Sequence, residues 1–157
     1  MIMGSMVTPI ANAAEVKAEP RTARILVADD HEVMRMGIRN LLESRSGWSV
    51  YAEARTGTEA VEAALATSPD LIVMDITMPE MNGLEAAARI AEVRPDIPVI
   101  LFSLHLSEEV IRRFKTGSIR GAVSKSEAAR DLLAAVHCVL NGGTFFPAEE
   151  RAHAATG

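Results

Sequence analysis

From Arg24 onward the apolar positions fall alternately into short unbroken runs and into runs with helical spacing. The unbroken runs predict strands over 24–28, 49–54, 71–75, 99–103 and 121–124. Between them lie helical patterns: Met34, Ile38, Leu41 and Leu42 share one face of the first, and Leu132, Val136, Val139 and Leu140 share one face of the last. Thr56-x-x-Glu59 reads as a capping box for the second helix. Asn82 is expected to cap the third, and Ser107 and Ser126 the fourth and fifth, while Asn141-Gly142-Gly143 stops the last. Strands apolar at every position are buried on both faces, so the pattern predicts a five-stranded parallel sheet with helices on both faces. Right-handed crossovers are then expected to place alternate helices on alternate faces. The strand spacing also suits a leucine-rich solenoid, but the Leu-x-x-Leu-x-Leu signature is absent.

Composition narrows the class. With 157 residues, 48% hydrophobic and 24% charged, the chain fits one domain with flanking tails, expected as a disordered extension over 1–22, a domain over 23–147 and a flexible tail over 148–157. Ala11-Asn12-Ala13 looks like a signal-peptidase site, yet no basic segment and long apolar run precede it, so secretion is not expected. A formal charge of −5 offers nucleic acid and anionic membranes no general attraction. No stretch is long and apolar enough for a membrane span. A single cysteine, Cys138, forms no internal disulfide, and a cytoplasmic location is expected.

The run Leu71-Ile72-Val73-Met74 ends on a carboxylate, Asp75, and the chain breaks at Pro79. A charge at the tip of a buried strand costs desolvation unless something meets it. Three other strand ends carry polar groups toward the same edge: Asp29-Asp30, Ser103 and Lys125. Three acids there repel one another and raise their own pKa values unless a divalent cation neutralises them, and oxygen ligands suit magnesium. A hydroxyl and an ammonium opposite them suit a phosphoryl group. On this reading Asp75 is a nucleophile, a metal ligand, or both.

The fragments ILVADDHEVMRMGIRNLL, DLIVMDITMPEMNGLEAA, VILFS and GAVSKS, in that order and spacing, resemble a response-regulator receiver domain of two-component signalling, of the NarL/FixJ-like subfamily, over about residues 23–147. The resemblance implies the (βα)5 flavodoxin-like fold, with Asp75 as phosphoacceptor for a phosphoryl group from a sensor histidine kinase or phosphotransfer protein. It also implies Mg2+ held by Asp29, Asp30, Asp75 and the backbone carbonyl of Thr77. Lys125 matches the lysine that pairs with the phosphoryl oxygens, Ser103 the switch hydroxyl, and Pro79 and Gly83 the turn that shapes the loop. The output is a conformational shift, with self-phosphotransfer and slow autodephosphorylation rather than turnover. The sequence continues for ten residues past 147, too few for the helix-turn-helix that follows in the larger subfamily. A single-domain or truncated form is therefore expected, without DNA binding by this chain alone, and with self-association through the fourth and fifth helices.

Each residue also has a plainer reading. Asp29-Asp30 is what a helix cap looks like, and Ser103 or Lys125 alone is an ordinary strand-end side chain. His31 stands beside the acids as a metal ligand or as an exposed first-turn histidine. His105 lies where family members influence water access. His137 and Cys138 are read as surface or packing residues, and Met34 and Met36 as core filler. Haloacid-dehalogenase-type phosphotransferases also place an aspartate after a strand, but they carry a second acid two residues on, where this chain has Thr77. A receiver-fold interaction module independent of phosphorylation is the remaining alternative. The clearest departure from the family is Ala122, where many receivers carry a mobile aromatic. Either coupling is weak, or a neighbour such as Phe114 or His105 compensates.

Overall fold

A strand with no polar face needs cover on both sides, and the order of the strands decides which helix supplies it. The computed structural model describes residues 21–114 and 117–146. The expected N-terminal extension, apart from Arg21 and Thr22, and the expected tail lie outside these residues. The elements are β1 (Ala23–Ala28), α1 (Glu32–Glu43), β2 (Trp48–Ala54), α2 (Gly57–Thr67), β3 (Leu71–Asp75), α3 (Gly83–Val93), β4 (Val99–Ser103), α4 (Glu108–Phe114), β5 (Ile119–Ser124) and α5 (Ala128–Leu140). The strands form one sheet in the order β2-β1-β3-β4-β5, and every adjacent pair is parallel.

The alternating side chains of the strands feed two cores. Ile25, Val27, Leu71, Val73, Ile100, Phe102 and Val123 pack with Ile38 and Leu42 of α1 and with Leu132, Ala135, Val136 and Val139 of α5. Leu26, Ala28, Ile72, Met74, Val99, Leu101 and Ala122 pack on the other side with Ala60 and Ala64 of α2, Ala86, Ala87 and Ile90 of α3, and Ile111 of α4. The helices thus do not alternate face by face, which corrects the expectation from crossover handedness alone. The chain reverses its direction across the sheet once, after β2, and then moves steadily from β3 to β5, so successive right-handed crossovers put α2, α3 and α4 on one face.

Local signals account for most element ends. Thr56 Oγ1 accepts from the Glu59 amide at 3.0 Å, and Glu59 Oε1 accepts in return from the Arg55 amide at 3.0 Å. Asn82 Oδ1 accepts from the Glu85 amide at 2.9 Å, and Ser107 Oγ from the Val110 amide at 3.1 Å. Ser126 does not cap α5. Its hydroxyl pairs with that of Ser124 at 2.9 Å, and a 3-10 turn over Lys125–Glu127 intervenes before the helix begins. The C-terminus of α5 closes as a Schellman motif, with the Gly142 amide on the Val139 carbonyl and the Gly143 amide on the Cys138 carbonyl. Beyond it Phe145 bonds across β5, taking the Ala122 amide and giving its own to the Arg120 carbonyl, which covers an otherwise open sheet edge. Met36 is 56% exposed and so is not core filler; the buried positions of α1 are Arg35, Ile38 and Leu42.

Two glycines fix how closely the helices approach the β3 edge. A Cβ on Gly83 would lie 2.0 Å from the Asp75 carbonyl oxygen, and one on Gly57 would lie 2.0 Å from that of Met81. Gly37, inside α1, has nothing within 4 Å of the same position. Gly37→Ala is therefore expected to raise stability by about 0.5–1 kcal/mol, and Gly83→Ala to lower it by at least about 1–3 kcal/mol. Urea unfolding of both variants measures this. A Gly83→Ala protein as stable as the parent would show that the close approach is not required.

Candidate functional site

The site lies where the strand order reverses. Ala28 of β1 and Met74 of β3 are in register, so the next residues, Asp29 and Asp75, reach the carboxyl edge side by side. The chain leaves β1 for α1 on one face and β3 for α3 on the other, which opens a crevice between them. Asp29 is completely buried and Asp75 is 2% exposed. Lys125 arrives from beyond β5 on its 3-10 turn. Its Nζ lies 2.7 Å from Asp29 Oδ2 and 3.1 Å from Asp75 Oδ2. It also stands 5.7 Å from the centre of the Phe102 ring, and Phe102 is the register partner of Asp75.

The remaining carboxylate oxygens have distinct roles. Asp75 Oδ1 accepts from the Thr77 amide at 3.1 Å, and Asp29 Oδ1 accepts from the His31 amide at 2.8 Å. Asp29 Oδ2, despite its ion contact with Lys125, and Asp30 Oδ1 are buried oxygens without a hydrogen-bond partner. Burial pushes the Asp75 carboxyl above its ordinary range, and the nearby charge of Asp29 adds to that, while the hydrogen bond from Lys125 opposes it. For Lys125, burial disfavours the ammonium, but its bonds to Asp29 and Asp75 outweigh this and hold its pKa above the usual value. Three carboxylates face one ammonium, an arrangement with surplus negative charge and oxygen donors to spare.

Ser103 is buried at the end of β4, in register with Ser124, and its Oγ accepts from the His105 amide at 3.2 Å. It reaches the same edge, but among the described residues the direct ion contacts join Asp29, Asp75 and Lys125. Thr77 is exposed and enters through its amide. The loop around it is held by the Gly83 amide on the Ile76 carbonyl at 2.8 Å. A tight turn, from the Met81 amide to the Pro79 carbonyl at 2.7 Å, puts Glu80 at φ +67°, a costly conformation for a residue with a Cβ. His31 occupies the N-cap position of α1, with its ring 71% exposed and Nδ1 3.1 Å from Asp30 Oδ1. His105 and His137 are exposed, whereas Cys138 is half-buried and its thiol donates to the Thr144 carbonyl at 3.3 Å.

Arg35 was not singled out by the sequence reading. Its guanidinium is buried, donates to the Asp29 carbonyl at 2.8 Å and meets Glu53 of β2 at 3.2 Å, so it holds the turn that carries the acids. The available signal was its spacing, three residues before Ile38 and seven before Leu42 on the buried stripe of α1.

The raised Asp75 carboxyl gives a stability prediction. A carboxyl whose folded pKa lies above its unfolded value costs stability once pH rises through the folded value, and the cost disappears on acidification towards the unfolded value. With divalent cations chelated, Asp75→Asn is expected to unfold at higher urea than the parent at neutral pH, with the gap closing as pH falls. A variant less stable than the parent at neutral pH would contradict the role given to burial.

Comparison with known proteins agrees with this geometry. Residues 25–137 match the response regulator receiver domain family. The chain is 32% identical over 125 residues to the response regulator UvrY of Escherichia coli O6:H1, covering 80% of this chain and 57% of that protein. It is 35% identical over 125 residues to a putative transcriptional regulator of Pseudomonas aeruginosa, covering 80% of this chain and 60% of that one. The chain therefore spans somewhat more than half the length of these relatives. Among solved structures, a two-component response regulator of the LuxR family from Aurantimonas sp. SI85-9A1 superposes with a TM-score of 0.77 at 33% identity, covering 83% of this chain and 99% of that one. The receiver domain of a putative response regulator NarL from Mycobacterium tuberculosis does so with a TM-score of 0.73 at 28% identity, covering 78% and 99%. A five-stranded parallel sheet with an acid cluster at its switch point, matched over most of its length in this way, belongs to the response regulator receiver domain family.

Proposed function

We propose that this receiver domain takes a phosphoryl group on Asp75 from the phosphohistidine of a sensor kinase or phosphotransfer protein, and signals through the change of charge that results. The observation that carries this is Lys125 Nζ lying 2.7 Å from Asp29 and 3.1 Å from Asp75 at the strand edge. Asp75 Oδ2 supplies the electron pair that attacks phosphorus. The phosphorus–nitrogen bond breaks, and the imidazole leaves with a proton from solvent. Thr77's amide holds the other oxygen, Oδ1, and so orients the attacking one. Lys125 stands ready to pair with the phosphoryl oxygens, and Ser103 offers a hydroxyl from β4.

The residues fit a magnesium ion. Asp29 Oδ2 and Asp30 Oδ1 are buried without hydrogen bonds, and the donor set is oxygen-rich. Asp29, Asp30, Asp75 and the Thr77 carbonyl would hold the ion, which supplies the neutralisation that lets a carboxylate approach an anionic phosphoryl group. Activity of a longer protein, a domain boundary near 147 and self-association through α4 and α5 belong to the same proposal.

Acetyl phosphate or phosphoramidate with magnesium is expected to add one phosphoryl mass to the parent and none to Asp75→Ala. Equal incorporation in both, read by intact mass, would overturn the assignment. The buried methyl of Ala122 has no side chain to rearrange, so beryllofluoride with magnesium is expected to shift amide resonances near Asp75 and in the loop after Ser103 more than those of α5. Large cooperative shifts across 107–141 would show that the switch works without an aromatic at that position.

A further inference from the structure

We infer that the cation at this edge takes a nitrogen ligand from His31 Nδ1 beside the carboxylate oxygens, so that the site favours a divalent first-row transition ion over magnesium. The inference rests on the reading of the acid cluster as a cation site. Asp29, Asp30, His31 and Asp75 each present one ligand atom, and these four atoms lie within 4.8 Å of one another. His31 Nδ1 is 3.1 Å from Asp30 Oδ1 and 3.4 Å from Asp29 Oδ1. Neighbouring ligands of an octahedral ion with bonds of about 2.1 Å stand about 3.0 Å apart, so the separations are those of adjacent positions around one ion.

A simple hydrogen bond does not account for this approach. Asp30 Oδ1 is a buried oxygen with no hydrogen-bond partner, although the imidazole nitrogen is within 3.1 Å. The completely buried Asp29 also presents Oδ2 without one. The His31 amide is bonded to Asp29 Oδ1 at 2.8 Å, which ties the residue to the acid it would join at the metal. The ring is otherwise in solvent, free to settle without disturbing the core. Carboxylates alone suit magnesium, whereas an imidazole adds affinity for manganese, cobalt, nickel and zinc in the order of their preference for nitrogen.

The test uses the whole chain and metal ions alone. Mn2+ bound to the parent is examined by electron spin echo envelope modulation for coupling to a directly bound nitrogen, and Mn2+, Ni2+ and Mg2+ affinities are measured by calorimetry for the parent, His31→Gln and His105→Gln. Nitrogen coupling is expected in the parent and in His105→Gln and is expected to vanish in His31→Gln. Ni2+ affinity is expected to fall about tenfold or more in His31→Gln, with Mg2+ affinity changing by less than about threefold. Labelling the parent with 15N-histidine replaces the coupling by that of the other isotope, a readout that does not depend on any variant folding. Tight Mn2+ binding without nitrogen coupling, or coupling that survives in His31→Gln, overturns the inference and leaves the cation site standing. Binding of Mn2+ no tighter to the parent than to Asp30→Asn overturns both.

Discussion

Three carboxylates at one end of a buried sheet are the constraint from which the rest of the molecule follows. Asp29 and Asp75 are brought side by side by strand register, and neither has access to enough water to screen its charge. Lys125 is the direct counter-charge, and it has to come from the far side of β4 to reach them. The 3-10 turn at Lys125–Glu127 is the local price of that reach, since a helix beginning at once after β5 would need its cap where Ser126 instead bonds Ser124. Arg35 acts on the backbone of the same turn, holding the Asp29 carbonyl rather than its carboxylate. One ammonium cannot balance three acids, and that imbalance makes the edge a place for an added cation and for chemistry on anions.

Precision at the edge depends on contacts that admit no side chain. α3 starts with Gly83 against the Asp75 carbonyl, and α2 starts with Gly57 against the Met81 carbonyl. The loop from Ile76 to Gly83 is thus clamped at both ends and from the side, with Glu80 held at positive φ within it. Strain of this kind persists only where the surroundings over-determine it. Here they do, and the beneficiary is the Thr77 amide, whose bond to Asp75 Oδ1 orients the other oxygen.

The fold was legible because strands apolar on both faces have few solutions. Leu71–Asp75 and Val99–Ser103 begin and end where their apolar runs do. Helix sidedness was not legible, because it depends on strand order, which no single run of residues encodes. The polar ends of four strands were visible as Asp29-Asp30, Asp75, Ser103 and Lys125, since a charge after a buried run is conspicuous. Arg35 was hidden because a cation inside an amphipathic helix is ordinarily solvated, and only tertiary contact with Asp29 and Glu53 distinguishes it. The start of β5 two residues early, at Ile119, reflects pairing with Val99 and not local propensity. Ser126 failed as a cap for the same reason: the neighbour that claimed its hydroxyl is a product of the turn Lys125 requires.

The same contacts decide where a change of charge at Asp75 can be expressed. α1 is held by Arg35 and by Ile38 and Leu42 in the core, and α2 and α3 by glycine contacts with the β3 edge. α4 is the short helix: it spans Glu108–Phe114 and contributes Ile111 to the core. It is joined to the site through Ser103, whose hydroxyl holds the His105 amide in the loop that leads into it. A segment with few buried apolar contacts opens at the smallest free-energy cost. If Ser103 exchanges its bond to His105 for one to a phosphoryl oxygen, the loop before α4 loses a restraint while the rest of the edge keeps its own. With a methyl at Ala122 no bulky side chain on β5 has to follow. The physical path of least resistance from Asp75 therefore runs through β4 into α4, and it ends on a helix that the core holds by a single buried side chain among its described residues.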